Sequence, residues 1–550
     1  MSSPLSFLSP RTVGRQIGQN WKSGVTVSLV SIPLSVSLAI AAGATPVMGV
    51  ITAIWAGIVA SIFGGSNYNI IGPTGALSGV LAAASFRYGV GALPVLAVLS
   101  GILIFVFYML RWDRYIIFIP SAVTHGFTLG LAFIIAVSHL NFAVGLTELH
   151  VHEHLTDNMI ESFRHIGDVS WPAVGLFAVS LALLFLILKY MPRIPSPIIV
   201  AAGGLALGYA ASMGWSPWQF ETLLTTYGTM RMQIIAFPGF QMPPLTVVLG
   251  QSVIVIATVA ILETLISAKV ADAMTNTRHD QRREVFGLAL ANIISGLAGG
   301  LPATAAHART TLNVKSGAHS RMSAFLNSVF VFLIALMFFT QFQYLPLPVV
   351  AAILVYVAIR MVEKDHWLEL ARLDRTMFIV AMLVAVTTVL WDPIVGLMAG
   401  SVVALLIFVQ HLSIGRSDIT IHRDRKVIGR LSASTLHEQQ DHGDVTVYRF
   451  AGELTYFNAE SHTHSIKRLT CKTLILSFRN LFFLDVDGLH ALGEIIAERQ
   501  AQDINVILTA VSASNRKMLR KTGWFRQMES DSKVFDSSTD ALMYLGFPLR

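Results

Sequence analysis

Charged residues and cysteine are both scarce in this chain of 550 residues. Only 13% of the residues are charged, whereas a soluble globular protein usually carries about 25%. This shortage excludes a disordered chain and an ordinary water-soluble enzyme, and a hydrophobic content of 54% indicates a membrane protein. A single cysteine, Cys471, excludes an internal disulfide and a metal site built from clustered cysteines.

The few charges are concentrated at the end of the chain. Residues 412–550 hold 34 of the 71 Asp, Glu, Lys and Arg residues, and the much longer segment 1–411 holds the other 37. The sequence therefore predicts a lipid-embedded region followed by a soluble domain of ordinary composition. The predicted organisation is a cytoplasmic N-terminal segment at 1–21, a transmembrane domain at 22–411, a linker at 412–440 and a soluble domain at 441–550.

Apolar segments recur along the first three quarters of the chain. Twelve of them approach the roughly 20 residues that a helix needs to cross a bilayer. Two shorter ones, rich in Gly, Ala, Thr and Pro, lie between full-length segments, so that the count predicts fourteen spans. The long segments lie at about 23–42, 47–64, 92–110, 116–138, 172–190, 196–213, 245–270, 284–300, 322–340, 345–361, 376–391 and 393–411, and the short ones at about 74–86 and 303–314.

The positions of Lys and Arg predict the orientation of these spans. Loops that would face the cytoplasm contain basic residues, whereas the predicted outer loop 146–171 contains five acidic residues and only Arg164. By the positive-inside rule, the N-terminus and the soluble domain are cytoplasmic in a multi-pass protein of the plasma membrane. The same rule explains the net charge of +7 without a nucleic-acid partner.

The two short segments form a related pair, about 229 residues apart. A double glycine precedes each of them: 64–65 leads to Ile-Gly-Pro-Thr-Gly at 71–75, and 299–300 leads to Leu-Pro-Ala-Thr-Ala at 301–305. Interrupted segments at matching positions of two halves are typical of transporters with inverted repeats and a central binding site. The sequence therefore indicates seven spans in each half.

An offset of the same size places Pro33 of the first span beside Glu263 of the eighth. We expect each residue to interrupt its span. A charged side chain at the centre of a membrane helix costs about 2.5–3.5 kcal/mol. Glu263 is therefore expected to be neutral or paired.

The soluble domain alternates strand and helix patterns. Short runs of β-branched and aromatic residues predict strands, and longer amphipathic stretches between them predict helices. The sequence therefore predicts a small α/β domain. The expected strands are 445–450, 473–478 and 505–509, and the expected helices are 459–468, 489–500 and 513–522.

These features together resemble the sulfate permease (SulP) family. The resemblance rests on residues 22–75, on 260–315 with ILETLISAKVAD and GLPATAAHART, and on the terminal α/β domain, which resembles a STAS domain. It implies an α-helical polytopic membrane fold of fourteen spans in 7+7 inverted repeats, with a core domain of spans 1–4 and 8–11 and a gate domain of spans 5–7 and 12–14. It also implies transport of a small anion by movement of the core against the gate in a homodimer.

The paired short helices predict the anion site. A helix start carries about half a positive charge and unpaired N–H groups, which together bind anions. Thr74 and about Ala303–Thr304 follow prolines and are expected to begin these helices, and the resemblance implies that Arg309 lies beside the anion. The alternatives are a proline kink without a ligand and a structural role for Arg309 as a clamp. The predicted anion-binding residues are Ser31, Pro33, Leu34, Leu38, Thr74, Gly75, Thr304, Ala305, Ala306, His307, Ala308 and Arg309.

Glu263 and Ser267, one turn apart, are the predicted coupling residues. The resemblance implies that a coupling proton or cation binds here, and the alternative for Glu263 is a structural hydrogen bond. Relatives that use sodium have aspartate at the position of Glu263 and a small hydroxyl residue at the position of His307, so a proton is expected rather than sodium. Histidine titrates near neutral pH, which would suit His307 to a proton pathway, and a packing role is the alternative.

Two further motifs are expected to have no function of their own. His150, His152 and His154 alternate in the outer loop, but no carboxylate or cysteine completes a zinc-binding set. Within Asp-Val-Asp-Gly at 485–488, Asp487 takes the place of the serine that is phosphorylated in anti-sigma antagonists. We therefore expect no metal, no cofactor and no phosphorylation switch.

The sequence as a whole predicts a secondary active transporter of a small anion of the sulfate, bicarbonate or dicarboxylate class. Proton coupling and elevator-like alternating access are expected. A passive channel, an anion exchanger and sodium-coupled bicarbonate uptake by the same fold are the alternatives, and a membrane-tethered sensor with a STAS output is a further one. An enzyme is not expected, because the sequence has no nucleophile–base set and no nucleotide-binding loop.

Overall fold

The chain forms two compact units, residues 1–404 and 405–550. The first is helical and contains the apolar segments, and the second is built around a six-stranded sheet. The computed structural model describes residues 13–112, 120–146, 149, 155–191, 195–235, 242–244, 246–391, 393–424, 426–432 and 443–547.

A helix is present at each of the fourteen apolar segments. Eight of the described helices are long and apolar enough to cross a membrane, and two shorter apolar helices accompany them. The helices up to the end of the apolar region are α1 (Val13–Ala41), α2 (Pro46–Phe63), α3 (Gly75–Tyr88), α4 (Leu93–Leu110), α5 (Ser121–Ser138), α6 (Leu140–Val144), α7 (Leu155–Arg164), α8 (Trp171–Tyr190), α9 (Ser196–Ser212), α10 (Leu223–Tyr227), α11 (Val247–Thr275), α12 (Gln281–Leu297), α13 (His307–Lys315), α14 (Met322–Phe338), α15 (Leu347–Met361), α16 (Lys364–Leu373), α17 (Arg375–Leu390) and α18 (Pro393–Ser413).

Helix packing in the first unit is symmetric between its two halves. Helix α1 packs on α14 as α11 packs on α4, and α2 packs on α14 as α12 packs on α4. Helix α5 likewise packs on α17 as α15 packs on α8. Exchanging the halves converts each contact into its counterpart, as expected for two repeats. The predicted polytopic fold with paired repeats is confirmed.

The first and eighth spans are continuous helices. Helix α1 begins at Val13 and runs through Pro33, and α11 runs through Glu263. The prediction that these residues interrupt their spans is therefore wrong. A buried proline is tolerated here because neighbouring helices enclose it and only one helical hydrogen bond, to the carbonyl of Leu29, is lost.

The second unit has a mixed sheet flanked by helices. The strand order is β4-β3-β5-β6-β7-β8, with β3 antiparallel to both neighbours and the other pairs parallel. The predicted α/β domain is confirmed. Its elements are β3 (Ser417–Arg423), β4 (Lys426–Ser432), β5 (Val445–Leu454), α19 (Ala459–Lys467), β6 (Thr473–Leu484), α20 (Val486–Ala501), β7 (Asn505–Thr509), α21 (Ala513–Leu519), α22 (Gly523–Ser530), β8 (Val534–Phe535) and α23 (Ser538–Tyr544).

The predicted linker at 412–440 contains strands β3 and β4, so that part of the linker prediction is wrong. Ile419 and Ile421 are buried in the core of the sheet, and the intervening Thr420 is buried as well. Residues 419–422 alternate apolar and polar side chains, as a strand does, but basic residues follow at 423, 425 and 426. This basic stretch gave the segment the composition of a linker.

Candidate anion-binding site

Two short strands in the first unit pair with each other and lead into the short helices. Strand β1 (Ile71–Gly72) pairs antiparallel with β2 (Thr304–Ala305), and Gly72 lies opposite Thr304. The amide of Ala306 donates to the carbonyl of Ile70 at 3.1 Å, which extends the ladder to the start of α13. The two helix starts predicted from the sequence therefore lie side by side.

Helices α3 and α13 begin without side-chain caps. Thr74 and Ala306 are the N-cap residues, and neither makes a capping hydrogen bond within the described part of the chain. Thr74 is 8% exposed, and its Oγ1 has no hydrogen-bond partner among the described residues. The first backbone N–H groups of both helices are therefore available to an anion, since a helix start leaves them unpaired.

The start of the second short helix differs from its predicted position. Helix α13 begins at His307 rather than at residues 303–304, because Thr304 and Ala305 are extended and form the ladder with β1. Both ladder residues are fully buried. Both residues lie in the ladder, and the amide of Ala305 donates to Thr264 Oγ1, so the free N–H groups lie at the first residues of α13.

Arg309 connects the two helix starts. Its Nη2 donates to the carbonyl oxygen of Pro73 at 2.6 Å, and the residue is only 2% exposed. A Cβ on Gly72 would lie 3.0 Å from Nη1, so a larger residue there would crowd the guanidinium. Nη1 has no hydrogen-bond partner among the described residues. Arg309 therefore clamps a backbone carbonyl with one nitrogen and retains a donor on the other.

Glu263 and His307 lie together beside these helix starts. Glu263 Oε2 is 3.5 Å from His307 Nδ1, and the side chains are 16% and 27% exposed. The pair joins α11 to the first residue of α13. At this distance a charge on one side chain acts on the other.

Hydroxyl groups hold α13 against α11. Ser267 Oγ donates to Thr310 Oγ1 at 3.0 Å, and Thr264 Oγ1 lies 3.0 Å from Thr304 Oγ1 and accepts from the amide of Ala305 at 3.1 Å. Ser267 is fully buried. In the structure, Ser267 therefore takes part in the packing of α11 against α13. Sequence reasoning missed Thr264 and Thr310, although Thr264 and Ser267 share the spacing of one helix face.

The residues of α1 pack in the interior. Ser31 Oγ donates to Asn327 Oδ1 of α14 at 3.2 Å. Pro33 is buried, and Leu34 and Leu38 belong to or border an apolar cluster that includes residues of α15. The same helix carries two buried serines that the sequence reasoning missed, and neither hydroxyl has a partner among the described residues. They are Ser35 and Ser37.

One face of α13 is open. Ala306 and His307 are partly exposed and Ala308 is exposed, in contrast to the buried Arg309. Helix α3 instead packs on α5 and α15, and a Cβ on Gly75 would lie 2.5 Å from the sulfur of Met361. The site therefore lies where α1, α3, α11 and α13 meet α5 and α15.

Glu284 fixes the chain before β1, and sequence reasoning missed it. This buried carboxylate accepts hydrogen bonds at 2.7 Å from the amides of Gly65 and Ser66 and from Nδ2 of Asn69. A Cβ on Gly65 would lie 1.9 Å from the carbonyl of Asp280, so the position requires glycine. The double glycine at 64–65 was the sequence signal for this close approach.

Two motifs were predicted to have no function, and the structure describes only the second of them, at residues 485–488. His150, His152 and His154 lie outside the described residues. In the sheet unit, Asp485 caps α20 by accepting from the amide of Gly488 at 2.7 Å. Asp487 is exposed in the first turn of that helix.

Comparisons with known proteins identify a single family for the helical unit. The sulfate permease family profile matches residues 19–384, and the STAS domain profile matches residues 438–541. "Putative sulfate transporter YvdB" of Bacillus subtilis is 30% identical over 522 residues, which cover 92% of this chain and 94% of that protein. "Bicarbonate transporter BicA" of Picosynechococcus sp. is 22% identical and covers 94% of this chain and 93% of its own length.

A solved structure has the same fold. The murine Solute Carrier 26 family member A9 (Slc26a9) anion transporter, in its inward-facing state, superimposes with a TM-score of 0.83 at 16% identity. The match covers 98% of this chain and 93% of the murine chain. The chain therefore belongs to the sulfate permease family, a family of membrane transporters and not of enzymes, and carries a STAS domain after its transmembrane region.

Proposed function

We propose that this protein is a secondary active transporter that moves a small anion together with a proton across the plasma membrane. The observation that carries the proposal is the meeting of two uncapped helix starts beside Arg309, with the Glu263–His307 pair next to them. The relatives named for sulfate and bicarbonate support an anion of the sulfate, bicarbonate or dicarboxylate class as the substrate.

The charges of the site favour binding of an anion. Two helix starts supply roughly one positive charge between them, and Arg309 supplies another. Thr74 Oγ1 and Arg309 Nη1 are buried polar atoms without a partner among the described residues. Buried polar groups are costly unless they are hydrogen-bonded, and an anion at the helix starts would accept from both.

Glu263 is the proposed coupling residue. When it is ionised, the site carries about one net positive charge, which suits a monovalent anion. When it takes up a proton, the net charge is about +2, which suits sulfate or a dicarboxylate. His307, at 3.5 Å, is the proposed partner through which this proton reaches or leaves the carboxylate. The proton and the anion would then cross together.

The proposed movement is elevator-like alternating access. The ladder and the hydroxyl bonds keep α3, α11 and α13 together as one body, and this body faces α5 and α15. We further propose a homodimer, a cytoplasmic N-terminus and a cytoplasmic STAS domain. The proposed ranges of the transmembrane and STAS domains are 22–411 and 441–550, with β3 and β4 as additional strands of the latter unit.

Uptake into proteoliposomes tests the proposal. Purified protein is reconstituted and supplied with labelled sulfate, bicarbonate or a dicarboxylate, under an inward proton gradient, an inward sodium gradient or neither. We expect uphill accumulation of at least one anion that needs the proton gradient and is indifferent to sodium. Flux that only runs down the anion gradient would indicate a channel. Stimulation of uptake by the sodium gradient alone would indicate sodium coupling. Either result would contradict the proposal.

A further inference from the structure

Three potential metal ligands that are not among the predicted anion-binding residues meet where α5 and α16 begin. His125 lies in the second turn of α5, Glu363 is the N-cap residue of α16, and His366 is in the first turn of α16. His125 is partly buried and the other two are exposed. The ligand atoms of all three lie within 4.8 Å of one another.

The distances between these ligand atoms are close to those of a metal site. The Glu363 carboxylate oxygen Oε2 lies 3.2 Å from His366 Nδ1 and 4.0 Å from His125 Nδ1. In a tetrahedral site with bonds of about 2.0–2.1 Å, neighbouring ligand atoms are about 3.3 Å apart. Of the three pairs of ligand atoms, the Glu363–His366 pair is already at this spacing. The other two pairs, within 4.8 Å, need small side-chain rotations, which the exposure of Glu363 and His366 permits.

The chemistry of the three ligands selects the metal. Two imidazoles and one carboxylate suit zinc and similar divalent transition metals, whereas calcium and magnesium prefer oxygen ligands alone. Three protein ligands leave a fourth position for water. The two imidazole rings lie 5.0 Å apart between centroids and are tilted by 30°, so both present a nitrogen to the same carboxylate.

We propose that His125, Glu363 and His366 form a binding site for a divalent transition metal, with zinc as the preferred ion. The bound ion would join the start of α5 to the start of α16, two segments that the chain separates by more than two hundred residues. This proposal is independent of the transported anion.

A consequence for transport follows, and this step rests on the proposed function. Glu363 follows two residues after Met361, whose sulfur would lie 2.5 Å from a Cβ on Gly75, so the metal ligands lie close to the start of α3 and to the anion-binding residues. An ion bound to Glu363 would replace a negative charge near the coupling pair with a net positive one. Zinc is therefore expected to slow proton-driven anion uptake.

Zinc titration of the full chain tests the site. The protein is purified without a polyhistidine tag, in a background with His150, His152 and His154 replaced by Ala, so that the outer-loop histidines do not contribute. Competition with a chromophoric zinc chelator then gives the stoichiometry and the affinity. We expect one zinc ion per chain in this background.

Substitutions of the three proposed ligands show whether the zinc ion binds at this site or elsewhere on the chain. In the same background, His125→Ala and His366→Ala should each weaken zinc binding at least about tenfold, and Glu363→Gln should also weaken it. The matched control is His411→Ala, which removes an exposed histidine from α18. Size-exclusion elution and the thermal midpoint of each metal-free variant verify folding. Absence of binding to the background protein, or unchanged affinity in folded His125→Ala and His366→Ala, would overturn the site.

Uptake with zinc present tests the second step separately. Proteoliposomes of the background protein should lose proton-driven uptake as zinc is added, and His366→Ala proteoliposomes should resist it. If zinc binds without changing uptake, the proposed effect on transport is wrong, and the proposed metal site still stands. Absence of uptake from metal-free protein would instead contradict the proposed function.

Discussion

The guanidinium of Arg309 donates a hydrogen bond to the carbonyl oxygen of Pro73, and so joins the short helix of one repeat to that of the other. The bond spans 236 residues of sequence. It requires the small residue at Gly72, whose Cβ position lies 3.0 Å from Nη1. The cation of the candidate site is thus held in place by the opposite half of the chain.

Replacement of this guanidinium should therefore reduce transport. Lysine retains the charge but has a single nitrogen, so it cannot bond Pro73 and the anion in the same fork-like geometry. We expect Arg309→Lys to lower the affinity for the anion at least about tenfold. Anion binding to purified protein is the measurement, with Lys315→Ala at the exposed end of α13 as the control. Wild-type affinity in Arg309→Lys would remove Arg309 from the site.

A large side chain at the N-cap of α13 should block the site. Ala306 is partly exposed, and its neighbours in the chain supply the free N–H groups. We expect Ala306→Trp to abolish labelled anion uptake while membrane insertion and the elution profile stay unchanged. Lys315→Trp places the same side chain at the far end of the helix and should be tolerated. Normal uptake by correctly inserted Ala306→Trp protein would mean that the anion binds elsewhere.

Removal of the titrating carboxylate should separate binding from coupling. Glutamine at position 263 keeps the size and the hydrogen-bonding capacity of the side chain but cannot take up a proton. Glu263→Gln should bind the anion and lose the acceleration that an inward proton gradient gives. Glu369→Gln, an exposed change on α16, is the control. If Glu263→Gln protein still concentrates the anion when the gradient is applied, Glu263 is not the coupling residue.

The STAS domain should be dispensable for anion binding. Its first strand begins at Ser417, so a chain that ends at Arg416 lacks the whole sheet and keeps α18. All residues of the candidate site lie before that point. We expect the truncated chain to bind the anion with an affinity near that of the full chain, although its expression level falls. Complete loss of binding by a well-folded truncation would show that the domain contributes to the site.

A buried histidine should make the STAS domain sensitive to acid. His462 is fully buried, its Nδ1 lies 2.7 Å from the hydroxyl of Tyr448, and burial lowers the pKa of His462 to about 4. The unfolded chain, with a pKa of about 6.5, binds more protons than the folded domain between pH 4 and 6.5. Stability should therefore fall by a few kcal/mol at most as the pH decreases through this range, and level off below it.

Hydrogen exchange in the full-length protein measures this effect. Peptides covering 445–469 should exchange faster at pH 5 than at pH 7.5, after correction for the intrinsic rate. His462→Asn should flatten this dependence, and His464→Asn on the exposed face of the same helix should not. Equal pH dependence in the His462 variant would assign the acid sensitivity to another group.

The sequence predicts the fold through features that are local. Apolar length identifies the spans, and the double glycines at 64–65 and 299–300 mark the short segments because close backbone approach excludes side chains there. The pairing of Glu263 with His307, and the bond from Arg309 to Pro73, join residues far apart in sequence. A single sequence carries no record of such contacts, so these relationships needed the structure.

The errors have a common physical cause. Pro33 remains inside a helix because packing against its neighbours outweighs the loss of one hydrogen bond. Thr304 adopts an extended conformation because a strand from the other half pairs with it. Strands β3 and β4 were assigned to a linker because basic residues surround them, although pairing with β5 makes β3 an inner strand of the sheet. In each case a tertiary contact overrides the local preference of the sequence.

The ladder between Ile71 and Ala305 has a thermodynamic consequence. Because it fixes the two helix starts to each other, the donors that face an anion form a rigid set that no single repeat can rearrange alone. In the proposed mechanism, an anion then meets the same donors from either side of the membrane, with similar intrinsic affinity. The direction of net flow is consequently set by the ion gradients, and the same protein would run in reverse when those gradients are inverted.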